Sequence, residues 1–249
     1  MKKRIIWSLL ATAIVLTGCC QYKMVQTTAS HIPVDQRAES IKDKGIAQMI
    51  KPFEDVAVKV ANEVIGYTDQ ELLPGRPEGL LSNFFADVLL SYGQRLSAGK
   101  VDFALTNPGG LRKPIPKGNI TVGTIYELMP FENALVVLDL TGVQVQELAD
   151  SVASHHGSPV SGIKFGIKKK KAVNVLIQGN PLDLKAVYRV VANDYIAKGN
   201  DFFFTLTKAT KMETLSVSMR DAIIGYIRQQ TAAGKIIHIE LDGREYEEK

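Results

Sequence analysis

The stretch Val101-Asp102-Phe103-Ala104-Leu105, followed almost at once by Asn107-Pro108-Gly109-Gly110-Leu111-Arg112, constrains this chain more than any other. A short apolar run bounded by turn residues is the pattern of a strand buried in a sheet. The two glycines after it let the backbone turn tightly and come close to a ligand. Arg112 then supplies a planar, permanently charged fork suited to a phosphate or a carboxylate. Taken alone, the same residues also describe a plain corner between two strands.

The start of the chain bears on its location. Met1-Lys2-Lys3-Arg4 is a basic n-region, and Ile5 to Val15 is an apolar stretch too short to span a bilayer as a stable helix. Leu16-Thr17-Gly18-Cys19 resembles a bacterial lipobox, so cleavage before Cys19 and lipid on its thiol are expected, with a plain secretory signal as the alternative. The chain has only Cys19 and Cys20, and adjacent cysteines pair poorly. Stability is therefore expected from packing rather than from disulfides. No later apolar run approaches the ~18 residues of a membrane helix, which leaves the lipid as the expected membrane attachment, in a bacterial cell envelope. Loss of residues 1–18 removes Lys2, Lys3 and Arg4 and most of the formal charge of +4. A nearly neutral mature chain is not suited to binding nucleic-acid polymers through bulk charge.

A chain of 249 residues can build one substantial core. We expect a signal peptide over 1–18, a lipidated tether over 19–33 and one domain over 34–249. Asp35 and Pro52 bracket a helix ending near Ile50, and Val56, Val58 and Val60 alternate as a strand over 55–65. Residues 70–77 form a loop, and Leu80, Leu81, Phe84, Phe85, Val88 and Leu89 mark a broad apolar helix over 78–96. Thr121 caps a short helix, Ala134 to Leu140 is a strand, and Thr141-Gly142 opens another helix. Residues 160–167 and 172–177 form a hairpin through Lys168–Lys171. Asn180-Pro181 makes a turn, and 186–192 is a strand. Ser218 and Asp221 cap a helix ending before Gly234. Residues 235–241 read as a last strand, and the charged 242–249 as a fraying end. Without strict β-α alternation, this is an α+β domain with a mixed sheet and packed helices.

Two further segments join the Asn107–Arg112 turn. Pro130-Phe131-Glu132-Asn133 sets an aromatic and an amide before a strand. Asn193 to Phe203 carries Tyr195 and Asp201 around a Gly199-Asn200 turn. An Arg for an anion, two aromatic faces for a flat ring and an acceptor for a hydroxyl or amino group suit a nucleotide. With Glu78-Gly79-Leu80-Leu81-Ser82-Asn83-Phe84-Phe85-Ala86-Asp87 and Ser161-Gly162-Ile163-Lys164-Phe165, these segments resemble the C-terminal, substrate-binding domain of the 5'-nucleotidases and UDP-sugar hydrolases, from about Val56 to about Tyr226.

The resemblance implies roles. Phe131 and Tyr195 match two aromatics that sandwich the base, with Tyr in place of the more usual Phe. Asn133 and Asp201 match polar residues near the base and ribose. Arg112 matches a phosphate ligand, and Asn107 opens the turn in which Pro108 replaces a glycine. Gly110 and Gly162 would let backbone approach the ligand. Arg76 and Asn83 correspond less clearly to further anion contacts. The family's enzymes carry a preceding metallophosphatase domain with two metals and a catalytic His–Asp pair. Residues 1–50 hold one histidine, His31, and no Asp-x-His or Asn-His cluster. The implied function is the nucleotide-recognising half of a phosphohydrolase. Catalytic residues and divalent metals would then lie in a separate metallophosphatase chain, with no cofactor in this one. The alternatives are a stand-alone nucleotide- or nucleoside-binding lipoprotein and a degenerate scaffold. His155-His156 reads as a helix end rather than a metal pair, and Lys168–Lys171 as a solvated hairpin tip.

Overall fold

The computed structural model describes residues 43–248, with 26, 28–31, 33 and 36 before them. The expected signal peptide, Cys19, the Asp35 cap and most of the expected first helix lie outside the described residues. Contact density divides the chain into Met1–Ile50 and Lys51–Lys249, and the second unit holds every sheet found among the described residues.

The first described helix corrects two expectations. The Asp43 carboxylate accepts from the N–H groups of Gly45 and Ile46 (2.8 and 3.1 Å) and starts α1, Lys44–Ala61, which continues through Pro52. Residues 55–61 are therefore helix, and the strand begins later, as β1, Val64–Thr68. The physical reason is spacing. Ile46, Met49, Ile50, Phe53, Val56 and Val60 recur at three- and four-residue steps, so Val56 and Val60 extend a helical stripe. Pro52 removes one N–H, and the Lys51–Asp55 pair (3.0 Å) bridges the following turn. The stripe stays exposed, with Phe53 75% and Met49 72% accessible.

The remaining elements follow in chain order: α2 (Leu80–Leu96), β2 (Phe103–Leu105), a 3-10 turn (Pro108–Gly110), β3 (Gly118–Thr121), α3 (Val122–Leu128), β4 (Ala134–Thr141), α4 (Gly142–Ser154), β5 (Val160–Ser161), β6 (Ile163–Lys168), β7 (Lys171–Ile177), β8 (Asn180–Pro181), β9 (Val187–Asn193), α5 (Asp194–Ala197), a second 3-10 turn (Phe204–Lys208), β10 (Lys211–Ser218), α6 (Met219–Ala232) and β11 (Glu245–Glu247). Thr121 and Thr141 each close a capping box, and the Asp221 N–H donates to Ser218 Oγ at 3.0 Å. Lys169 and Lys170 both have positive φ (49° and 64°), the mark of a type I′ hairpin turn. The next reversal falls at Gln178–Gly179 rather than at Asn180-Pro181, which pair with Leu176–Ile177 as β8.

The chain is an α+β domain with mixed sheets. The central sheet has the order β10-β4-β9-β2-β5, with β2 parallel to β9 and its other neighbours antiparallel. A second sheet has the order β11-β6-β7-β8, and β1 pairs with β3. Both faces of the central sheet are covered. Leu135, Val137 and Val191 pack with Phe84, Phe85, Leu89, Ile223 and Ile227 from α2 and α6. Val136, Leu138, Val190 and Phe103 pack with α4 and with Phe165 and Val175 of the second sheet. Two-sided burial explains why β4 reads as a continuous apolar run.

The C-terminal end corrects two more expectations. Residues 235–241 form no strand beyond an isolated Thr68–Ile237 bridge. The tail over 242–248 packs on the fold, because Arg244 and Glu245 find partners there. Arg244 Nη1 donates to Asp87 Oδ1 (2.7 Å) and to the Val160 carbonyl (2.9 Å), and Nη2 donates to Asp242 Oδ2 (2.8 Å). That anchor lays β11 parallel to β6. Glu245 is left 3% exposed and accepts from the Ser158 N–H at 3.1 Å.

Burial pushes the Glu245 carboxyl well above the ordinary carboxylate range, further than the Ser158 N–H, Arg244 and Arg76 pull it back. The folded state then holds this proton more tightly than the unfolded chain. Its contribution to stability is present at low pH and is lost as pH rises through the raised pKa. Glu245→Gln, a mimic of the protonated form, should have the wild-type urea midpoint near about pH 5 and a higher one near about pH 8. Equal midpoints at the higher pH would mean that Glu245 ionises in the folded protein without cost.

Candidate functional site

The central sheet brings three chain segments to one end. β2 and β9 run parallel, with Ala104 beside Val191, so the residues after both strands emerge together. β4 is antiparallel to β9, with Leu135 opposite Asn193, so the residues before β4 arrive at the same place. Here Asn107, Gly109, Gly110, Arg112, Phe131, Asn133, Tyr195 and Asp201 line a pocket of about 280 Å³. That volume lies at the small end of the range of about 300–1,000 Å³ usual for small-molecule sites.

Each wall has a local cause. Pro108 opens the 3-10 turn after β2, a position where its missing N–H leaves no bond unmade. The turn closes through Gly110 N–H to the Asn107 carbonyl (3.2 Å) and Leu111 N–H to the Pro108 carbonyl (3.0 Å). A Cβ added at Gly109 or Gly110 would meet nothing nearer than 3.6 Å, so the fold does not demand glycine at either. The Arg112 guanidinium sits 5.1 Å from the Phe131 ring centroid. Among the described residues Arg112 makes no ion pair with a carboxylate. Phe131 and Tyr195 are 39% and 40% exposed.

A buried amide network sets the polar side. Asn193, 1% exposed, donates through Nδ2 to Thr106 Oγ1 (2.8 Å) and Asn107 Oδ1 (3.1 Å) and accepts from the Ile196 N–H (2.8 Å), capping α5. Asn107 Nδ2 donates to Asp201 Oδ2 at 2.9 Å, and the Tyr195 phenol donates to Asp201 Oδ1 at 3.2 Å. Positive φ falls on Gly199 (84°) and Asp201 (58°) rather than on Asn200. The Asn200 amide instead ties back to the Tyr195 carbonyl at 2.7 Å. Asn133 Nδ2 donates to Asp194 Oδ1 at 3.1 Å. Partial burial pushes the Asp194 carboxyl up, and hydrogen bonds from Asn133 and Lys198 outweigh it, so its pKa lies below the ordinary value.

Three expected residues sit elsewhere. Arg76 Nη1 donates to the carbonyls of His155 and Gly157, tying the loop before α2 to the end of α4. Asn83 is buried and donates to Glu78 Oε1 (2.6 Å) and the Glu240 carbonyl (3.1 Å). Gly162 has φ of 76°, and an added Cβ would lie 2.6 Å from the Asp102 carbonyl oxygen. It borders a wider, more open cleft of about 520 Å³ along Asp87, Lys164, Gln178, Asp242 and Arg244. Arg244 of that cleft is paired with Asp87 and Asp242, whereas Arg112 of the smaller pocket has no carboxylate partner among the described residues, so the smaller pocket is the better candidate. His155 ends α4 and stacks on Phe202 with ring centroids 4.1 Å apart.

Two supporting residues had no role in the sequence reading. Asn193 was legible as part of a marker segment only. Arg220 donates to Glu132 Oε1 (2.7 Å) and lies 4.2 Å over the Tyr126 ring, which pins the loop that carries Phe131. Its position inside a helical pattern offers no sequence signal.

An exposed cation, two part-exposed aromatics and a carboxylate held by two donors surround one small pocket. Residues 64–208 match the family described as 5'-nucleotidase, C-terminal domain, and the chain belongs to this family. The trifunctional nucleotide phosphoesterase protein YfkN of Bacillus subtilis is 32% identical over 216 residues, covering 77% of this chain and 14% of that protein. A probable 5'-nucleotidase of Treponema pallidum is 30% identical over 190 residues, covering 68% of this chain and 31% of that protein. The crystal structure of a 5'-nucleotidase precursor from Thermus thermophilus shares the fold with a TM-score of 0.71 at 29% identity, over 82% of this chain and 43% of that one. The chain thus spans less than half the length of each.

The two glycine environments make a paired test. Gly162→Ala should lower the urea-derived stability by about 1–3 kcal/mol through its left-handed backbone and the Asp102 contact. Gly110→Ala should change it by less than about 0.5 kcal/mol. Equal losses would show that Gly110 serves the fold and not the pocket.

Proposed function

We propose that this domain binds a nucleotide and orients it for hydrolysis as the recognition half of a 5'-nucleotidase-type phosphohydrolase. In this reading Phe131 and Tyr195 stack the base, Asn133 and Asp201 meet the nucleoside's polar groups, and Arg112 holds phosphate. The observation that carries it is the convergence of Asn107, Arg112, Phe131, Asn133, Tyr195 and Asp201, from three distant segments, on one pocket of about 280 Å³.

Among the described residues no three His, Cys, Asp or Glu side chains are grouped to hold a metal ion. In this reading the part this chain plays is binding and orientation, which lowers a barrier by holding the phosphoryl group in place. Divalent metals and the attacking water belong to a metallophosphatase domain, which we place on a separate chain. The exposed Phe53, Val56 and Val60 of α1 support a protein partner, since neighbouring uncovered apolar side chains can mark an interaction surface. The basic start and the Leu16-Thr17-Gly18-Cys19 motif support a lipid-anchored position at a bacterial cell envelope.

Calorimetric titration of the detergent-solubilised chain with adenosine and AMP tests this reading. Phe131→Ala should weaken both ligands by about tenfold or more, the usual worth of stacking on a base. Arg112→Ala should weaken AMP by about tenfold or more and leave adenosine nearly unchanged. Absence of heat with either ligand would sink the nucleotide-binding reading. Copurification with a dimetal phosphatase, lost when Phe53 and Val56 are both changed to Ser, would support the partner. Activity gained without any second chain would overturn it.

A further inference from the structure

Resting on the nucleotide reading, we propose that Arg220 is a positioning residue for that ligand: it clamps the chain on both sides of Phe131 and so fixes the ring for stacking, at a cost to the stability of the fold. The clamp is visible in its bonds. Nη1 reaches the carbonyl of Pro130, the residue before Phe131, at 3.5 Å. Nη2 donates to Oε1 of Glu132, the residue after it, at 2.7 Å. The neighbouring Met219 N–H donates to the Asn133 carbonyl at 2.9 Å, so the start of α6 holds the segment 130–133 at three points. The ring of Tyr126, on α3, lies 4.2 Å from the guanidinium and backs it.

Several features make Arg220 a poor choice for stability alone. It is 6% exposed, and a buried cation carries a desolvation penalty that one ion pair often fails to offset. The side chain of its carboxylate partner, Glu132, is 81% exposed, so water screens much of the attraction. Arg220 is the second residue of α6, where the positive end of the helix dipole disfavours a cation. Its Nε is sealed from solvent and has no hydrogen-bond partner among the described residues.

A methionine would fill similar space against Tyr126 without these penalties. It could not hold Pro130 and Glu132. A planar fork with several directed donors is what Arg220 adds, and both loop groups it grips flank an aromatic that lines the pocket. Phe131 is 39% exposed, so the packing around its own ring only partly confines it. Fixing the loop beforehand removes an ordering cost that a ligand would otherwise meet on binding.

The test measures adenosine affinity by calorimetry and stability by urea, both on the detergent-solubilised full chain. Arg220→Met should keep or raise the urea midpoint and weaken adenosine about fivefold or more. Arg220→Lys should remain weak, because a compact ammonium cannot span Pro130 and Glu132 together. Glu132→Ala, at an exposed site, should weaken adenosine by about threefold with the urea midpoint unchanged. Arg220→Met added to Phe131→Ala should cost no further affinity, since both act through one ring. A readout without ligand uses Phe131→Trp in a Trp7→Phe background, which leaves one tryptophan in the chain. Its fluorescence anisotropy should fall when Arg220→Met is added. Unchanged adenosine affinity in Arg220→Met or in Glu132→Ala, or an unchanged anisotropy, would overturn the proposal and leave the nucleotide reading standing. So would a lower urea midpoint in Arg220→Met, since Arg220 would then serve the fold. A wild type that binds no adenosine removes both.

Discussion

The amide of Asn193 is the interaction on which the site depends. It is buried at the end of β9 and uses both of its ends. One end joins Thr106 and Asn107 beyond β2, and the other caps the short helix that carries Tyr195. Its partners are themselves buried, so removing it would leave several polar groups unsatisfied at once, a loss larger than that of one surface bond. The parallel pairing of β2 with β9 makes this contact possible, because it delivers Asn107 and Asn193 to the same end of the sheet. Asn107, Asp201 and Tyr195 hang from that junction in sequence, while Asn133 is held separately by Asp194.

Two arginines do related work away from the pocket. Arg220 is nearly buried beside Glu132 and the Tyr126 ring, and it steadies the loop that presents Phe131. Arg244 draws the C-terminal segment onto the second sheet by pairing with Asp87 and Asp242. In both cases a planar guanidinium joins segments distant in sequence through several directed bonds, which a compact ammonium would do less well. The anchoring of Arg244 brings with it the burial of Glu245, whose raised pKa ties the stability of this end of the domain to pH.

The strands and helices of the central domain were legible because their signals are local. Thr121, Thr141 and Ser218 cap helices within three residues of themselves, and Lys169–Lys170 turn a hairpin whose strands flank them. The failures occur where local signals compete. Val56, Val58 and Val60 satisfy both a two-residue and, in part, a helical period, and only the longer stripe from Ile46 decides for the helix. The tail over 242–248 reads as frayed because charge usually means solvent. Its partner Asp87 lies far away in sequence, on the opposite side of the strand segments.

The sequence by itself determined the composition of the pocket: a cation at 112, aromatics at 131 and 195, and polar groups at 107, 133 and 201. Residue type, local turn chemistry and family resemblance carry that much, because they depend on neighbours in the chain. Only the tertiary structure decided which candidates share a site. It separates Arg76, Asn83 and Gly162 from the pocket and gives them bonding or backbone duties in the fold. It also joins Asp201 to both Tyr195 and Asn107 through hydrogen bonds. Those bonds span up to 94 residues of sequence. Their existence follows from sheet register and helix placement, which no local pattern of residues encodes.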